Sequence, residues 1–375
     1  MESIKLGEVI TDIATGPFGS NLKVSCFVDD GFPIVDGANL KGYKLTDNIT
    51  KYVTEEKARS LKRSIAKRND IVATISGTVG QISYIPEDSK YEEYLCSQRQ
   101  FRASFDTSRV YVPYLVFYFH TYEGQHKILS FANQVGVPAL AQPLKNFRLI
   151  DIDLPDLETQ KKIASVIESI NNKIEKNEAI NKNLAEQAQA IYCDMFISNA
   201  RPSWQLGHLS DLITVRYGKD HKKLADGAYP VYGSGGIMCY VEKPLYDKES
   251  VLIPRKGTLN NVMYVNEPFW SVDTMFFTEM KLPNVAKFVF HFVKSKDLAS
   301  LNAGSAVPSM TTDILNAMEL HVPDADTLTK FEGIIAPMYQ AMQQSVQESS
   351  KLGELRDSLL PKLMSGELDV SDLDL

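Results

Sequence analysis

Four local patterns in this 375-residue chain carry residue types suited to chemistry. Asn266-Glu-Pro-Phe269 is comparable with the Asn-Pro-Pro-Phe/Tyr loop by which DNA amino-methyltransferases hold a target amine, and Glu279-Met-Lys281 with Asp273 has the Glu-x-Lys spacing of some nucleases. Gly77-Thr-Val-Gly80 and Gly233-Ser-Gly-Gly236 have the glycine density of phosphate loops. The Glu-x-Lys triplet is common by chance, and the other three lack the partners their chemistry needs. Glu267 stands where the amine loop has its first proline, and no Phe-x-Gly-x-Gly cofactor motif precedes it. Neither glycine run carries the Lys-Ser/Thr of a P-loop, so tight turns are expected there. No Ser-His-Asp, His-Glu-x-x-His or paired-cysteine arrangement occurs, and the six histidines are dispersed. A stand-alone DNA methyltransferase is therefore the weakest reading, and a non-catalytic chain is expected.

The residues that remain are basic. Seven Lys and Arg lie from Lys51 to Arg68 against Glu55 and Glu56, and Lys219, His221, Lys222, Lys223 and the pair Arg255-Lys256 form later clusters. The net charge of −7 argues against a polyanionic partner until it is divided along the chain. Residues 1–155 hold 18 basic and 18 acidic side chains, and residues 200–325 hold 13 of each. The acidity sits in 156–199 and 326–375, so each neutral block can present a basic face.

These clusters must be positioned by elements that occur twice. KLGEVITDIATGPFG at 5–19 returns as QLGHLSDLITVRYGK at 205–219, Gly31-Phe-Pro-Ile-Val as Ala228-Tyr-Pro-Val-Tyr, and Val137-Pro138 as Val307-Pro308. Short β-branched runs at 71–75, 81–85, 251–254 and 262–265 predict strands, and the aromatic stretches 112–120 and 288–294 predict buried helices. After Pro155 and Pro323 comes a seam with 4-3 spacing: Ile163, Ile167, Ile170, Ile174, Asn177, Asn181, Leu184, Ala188, Ile191, Met195. Its copy is Phe331, Ile335, Met338, Met342, Ser345, Ser349, Leu352, Arg356, Leu359, Leu363, in which only Arg356 breaks the match. A sustained 3.5-residue period predicts a coiled coil. Antiparallel pairing would set Asn177 against Ser349 and Asn181 against Ser345, so that no buried polar group lacks a partner.

No apolar run approaches the roughly 20 residues that span a bilayer, and MESIKLGEVI has no basic n-region or apolar h-region. Cys26, Cys96, Cys193 and Cys239 lack metal-ligand spacing and are expected to be reduced, mostly buried thiols of a cytoplasmic protein.

Together, Leu154-Pro-Asp-Leu-Glu-Thr-Gln-Lys-Lys-Ile-Ala164, Leu355-Arg-Asp-Ser-Leu-Leu-Pro-Lys-Leu-Met-Ser-Gly-Glu-Leu368, and Tyr229-Pro-Val-Tyr-Gly-Ser-Gly-Gly236 followed by Val251-Leu-Ile-Pro-Arg-Lys-Gly257 resemble the specificity subunit of type I restriction-modification enzymes over essentially the whole chain. Asp324-Ala-Asp-Thr-Leu-Thr-Lys-Phe departs from the family's Gln-containing lead-in. The resemblance implies an α+β fold with two similar target-recognition domains (1–155 and 200–325), a central helix (156–199), and a distal helix and tail (326–375). The helices would form an antiparallel coiled coil with pseudo-two-fold symmetry. It implies that each domain reads half of an asymmetric bipartite sequence in double-stranded DNA. Partners would be two modification subunits, carrying S-adenosylmethionine chemistry at adenine N6, and two motor-nuclease restriction subunits using ATP with Mg; no cofactor is expected in this chain. A helix of about 40 residues extends roughly 60 Å and would act as a ruler. Fork-like side chains suit base readout, so Gln98, Arg99, Arg102, Arg255, Lys256, Asn260 and Asn261 are the expected readers. Lys62, Arg63, Lys67, Arg68, Lys219, Lys222 and Lys223 are the expected phosphate contacts. The alternative of another class is a coiled-coil adaptor without a DNA role.

Overall fold

The computed structural model describes residues 2–133, 136–301 and 309–371; the Val307-Pro308 landmark lies outside them. The chain divides into two compact units, Met1–Glu175 with Glu348–Leu375 and Lys176–Gln347. The divisions fall in the middle of the two long helices, Leu157–Cys193 and Ala325–Ser365, rather than at their ends. The reason is visible in the cores. In the first unit Ile163, Ala164 and Ile167 pack with Leu360, Leu363 and Met364, and in the second Ala188, Tyr192 and Phe196 pack with Leu328, Phe331 and Ile335. Half of each helix therefore serves each domain.

Each unit follows the same plan. Glu2–Lys5 pairs antiparallel with Asp151–Leu154, and Gln205–His208 with Glu319–Val322, so each domain closes its chain just before a long helix. A four-stranded sheet orders Ile10–Thr15, Gln100–Phe105, Ile71–Thr74 and Ile82–Tyr84; its counterpart orders Ile213–Tyr217, Met275–Met280, Ser250–Pro254 and Met263–Val265. Register repeats as well as order. Ile71 pairs with Tyr84, and Val251 with Tyr264. The strands predicted from β-branched runs and the helices Val112–Phe119 and Ala286–Lys294 are present, and the helices' aromatic residues are buried in the cores.

Both long helices begin on the same device. Asp156 accepts from the Thr159 N–H (2.9 Å) and hydroxyl (2.8 Å), and Asp324 accepts from the Thr327 N–H (2.8 Å) and hydroxyl (2.9 Å). Such caps satisfy donors that the first helical turn leaves free. The divergent lead-in at Asp324 thus preserves the cap. What changes is the buried position behind it: Gln160, which donates to the carbonyls of Arg109 and Pro155, is replaced by Leu328. Asp324 accepts instead from the Trp204 indole N–H at 2.9 Å, which holds its carboxyl down at about 2.

Every seam position is buried or half-buried. Within each unit the helix segments run antiparallel, through Lys173–Glu348 (3.2 Å) in the first and through Asn177 and Asn181 in the second. Asn177 Nδ2 donates to the Ser345 carbonyl at 3.4 Å. Asn181, expected opposite Ser345, gives its amide to the Met342 carbonyl at 3.3 Å, and its Oδ1 is buried without a partner. The Asn181 amide thus meets a backbone carbonyl of the facing helix segment instead of the Ser345 hydroxyl.

Among the described residues no helix is long and apolar enough to cross a membrane. The four cysteines are free; Cys96 is buried, Cys26 and Cys239 are half-buried, and Cys193, contrary to expectation, is exposed.

Candidate nucleic-acid interface

In each unit the central sheet strand runs into a glycine turn. Strand Ile71–Thr74 leads to Gly77 at φ 92°, and strand Ser250–Pro254 to Gly257 at φ 85°, a left-handed conformation that disfavours any other residue. Ile75 N–H donates to the Arg99 carbonyl (2.6 Å), and Arg255 N–H to the Thr274 carbonyl (2.8 Å). Beside these turns, the Gly16 N–H donates to the Gln100 carbonyl (2.7 Å) and the Gly218 N–H to the Met275 carbonyl (3.1 Å). A Cβ on Gly16 would stand 1.8 Å from the Ser97 oxygen, and one on Gly218 2.0 Å from the Val272 oxygen. Both glycines are required for the loops to close. Through these contacts Gly77 corresponds to Gly257, Gly16 to Gly218, Arg99 to Thr274 and Ile75 to Arg255.

The cations therefore sit on opposite arms of one scaffold. In the first unit Arg99 stands on the arm leading into strand Gln100–Phe105, and its side chain is exposed. It lines a cleft of about 610 Å³ with Gln98, Lys41, Lys51 and Gly77. In the second unit Arg255 and Lys256 stand on the turn arm. The Arg255 guanidinium lies 5.4 Å from the Tyr217 ring centre and donates to the Asp273 carbonyl at 3.1 Å, while Lys256 is exposed.

Three expected readers are engaged elsewhere. Arg102 is buried and ties strands together: it donates to Asp12 (2.5 Å) and to the Arg63 carbonyl (3.0 Å), and it lies 3.9 Å from Asp70. Its hydrogen bond holds the Asp12 carboxyl below the usual range, whereas burial pushes that of Asp70 up. Arg99 lies in the loop before the strand and is exposed, whereas Arg102 lies within the strand and reaches Asp12 from the face it shares with Ser104, which reaches Asp70. Asn260 donates to Asp297 (3.0 Å) and accepts from the Ala299 N–H (3.0 Å), and Asn261 donates to the Ser234 carbonyl (2.8 Å). These amides brace loops. Gln98 also spends its Nε2 on the Leu22 carbonyl at 2.7 Å, which leaves its oxygen toward Gly19.

Among the expected phosphate contacts, Lys62, Arg63 and Lys67 are exposed, as are Lys219, Lys222 and Lys223. Arg68 is not comparable with them. It is half-buried, donates to the Ser89 carbonyl at 2.9 Å and lies 3.8 Å from Glu92. Sequence reasoning missed Lys41 and Lys51 as cleft residues, because they lie far along the chain from Arg99 and only the fold brings them to it.

The sequence profile of the type I restriction modification DNA specificity domain matches residues 1–186 and 202–340. The chain is 20% identical over 365 residues to the type I restriction enzyme MjaIX specificity subunit of Methanocaldococcus jannaschii, covering 86% of this chain and 82% of that protein. It is 25% identical over 126 residues to the EcoprrI specificity subunit of Escherichia coli, covering 33% of this chain and 31% of that protein. The fold is shared with the crystal structure of a type I restriction-modification system S subunit from M. genitalium, with a TM-score of 0.63 at 16% identity over 96% of this chain and 95% of that one. A profile that covers both halves, on a fold that repeats strand order, register and helix cap, places this chain in the type I restriction-modification DNA specificity family.

Proposed function

We propose that this specificity subunit reads an asymmetric bipartite DNA sequence, one half-site per domain, and docks two modification subunits and two restriction subunits in the cytoplasm. The supporting observation is the shared glycine-turn scaffold that carries cations on different arms, Arg99 in one unit and Arg255-Lys256 in the other. One scaffold with two charge placements suits two different half-sites. Arg99, Gln98, Arg255 and Lys256 approach base edges, and Lys62, Arg63, Lys67, Lys219, Lys222 and Lys223 approach phosphates; base contacts specify while phosphate contacts position. S-adenosylmethionine, and ATP with Mg, belong to the partner subunits. The long helices set the distance between the half-sites.

Methylome sequencing of a host with and without this gene tests the reading. A two-part motif should disappear with the gene, and exchanging residues 200–325 for those of a relative should change one half of it and spare the other. An unchanged methylome would count for a scaffold without a DNA role.

A further inference from the structure

We propose that Phe18 is an apolar wedge that enters the base stack of the half-site read by the first domain, an inference that rests on the DNA-reading function above. Phe18 is 80% exposed, on a loop whose backbone is tied down. Gly16 is fixed to the Gln100 carbonyl, the ring of Pro17 locks its own φ, the Asn21 N–H donates to the Phe18 carbonyl (2.8 Å), and Gln98 Nε2 donates to the Leu22 carbonyl (2.7 Å). An aromatic ring held out in water by a braced loop gains free energy only when something covers it.

The surroundings say what covers it. On one side Phe18 shares a hollow of about 400 Å³ with Lys62 and Arg63. On the other side its neighbour Gly19 abuts Gln98, which lines the cleft of Arg99. The loop that carries the ring thus lies between cations suited to phosphates, Lys62 and Arg63, and a glutamine at the edge of the cleft that Arg99 lines. Flanking positive charge favours a polyanion over an apolar protein surface. Between the phosphate and base contacts of a duplex lies the base stack, into which apolar side chains insert at deformable steps. The second domain lacks the wedge, because the residue two past Gly218 is Asp220, which accepts from the Lys222 N–H at 3.1 Å. The two half-sites are accordingly read by different physical means, one partly through the cost of unstacking.

The test uses the full chain assembled with its modification subunits and duplexes of its own methylated motif, with 2-aminopurine placed in turn at positions in and beside each half-site. Binding of the wild-type complex should raise fluorescence at one step of the first half-site, apart from the target adenines that the modification subunits take out of the stack in both half-sites, and at no further step of the second. Phe18→Ala should abolish the rise and weaken cognate binding about tenfold, the scale of one lost base–aromatic contact, with thermal stability unchanged. Phe18→Leu should retain part of both signals. Equal affinity and equal fluorescence for wild type and Phe18→Ala would overturn the wedge. So would loss of assembly with the modification subunits in the absence of DNA, which would make the ring a protein contact. If the wild-type complex shows no preference for its motif, the DNA-reading function itself fails.

Discussion

Arg356 Nη1 donates to Asn171 Oδ1 at 3.1 Å, joining the second long helix to the first inside the first unit. Arg356 is the one position where the repeated seam breaks, and its guanidinium also lies 5.5 Å from the Tyr43 ring centre. The break is a polar lock: Asn171 is buried, and an apolar residue at 356 would leave its oxygen without a donor. Arg356→Ala should therefore cost about 1–3 kcal/mol, the penalty of an unsatisfied buried group. In Asn171→Leu the same arginine change should cost clearly less. Urea melts of the four proteins measure the coupling, and additive effects would remove the lock.

Arg99 and Arg102 sit three residues apart and should fail in different ways. Arg99→Ala should leave the melting temperature within experimental scatter and relax one half of the motif, at about 1–3 kcal/mol of discrimination for a lost bidentate contact. Arg102→Ala should lower stability, because Asp12 and the buried Asp70 lose their cation. The comparison needs a methylation assay and a thermal melt for each variant, and a specificity change without destabilisation in Arg102→Ala would contradict the assignment.

Phosphate neutralisation releases counterions, so affinity of the assembled complex for DNA should fall steeply with salt. Replacing Lys62, Arg63 and Lys67 together by Ala should reduce the log–log slope by about 2 to 3, close to one per lost phosphate contact. Arg68→Ala should leave the slope unchanged, since its guanidinium is bound to Ser89 and lies near Glu92. A slope insensitive to the triple change would remove this cluster from the interface.

His291 is buried between a domain and both helices of the second unit, with Nδ1 donating to Gln189 (2.8 Å) and Nε2 accepting from the Tyr339 hydroxyl (3.0 Å). Burial pushes it down to about 4, from an unfolded value near 6.5. A histidine whose folded pKa is depressed binds more protons when unfolded, so stability is present above about pH 6.5 and declines as pH falls toward 4. Denaturant midpoints at pH 7.5 and 5.0 should show this decline, and His291→Gln should flatten it. Burial also lowers His120 in the first unit, which adds to the slope that remains, while the raised carboxyls of Asp70 and Glu168 oppose it.

Deleting one heptad from each helix, residues 177–183 and 345–351, keeps the apolar phase and the antiparallel register. It shortens each helix by about 10 Å at 1.5 Å per residue, or about three base pairs of DNA at ~3.4 Å each. The methylated motif should keep its half-sites and lose about three base pairs of gap, or recognition should vanish if the rotational phase cannot be met. An unchanged motif would show that the helices do not set the distance.

The duplication, the two long helices, the strands flanking each glycine turn and the core role of the aromatic stretches were legible in the chain itself. Helical period, strand alternation and turn residues are set by neighbours within a few positions, so they leave a local trace. Even the cap shared by Asp156 and Asp324 is written in the threonine three residues on. Side-chain duty is decided at longer range. Arg102 is occupied by Asp12, 90 residues away, Asn260 by Asp297, and Lys51 joins the cleft of Arg99 only after the sheets have formed. The unequal fates of Arg99 and Arg102, and the division of each helix between two cores, belong to the tertiary structure, because burial and partner choice depend on residues that meet only on folding.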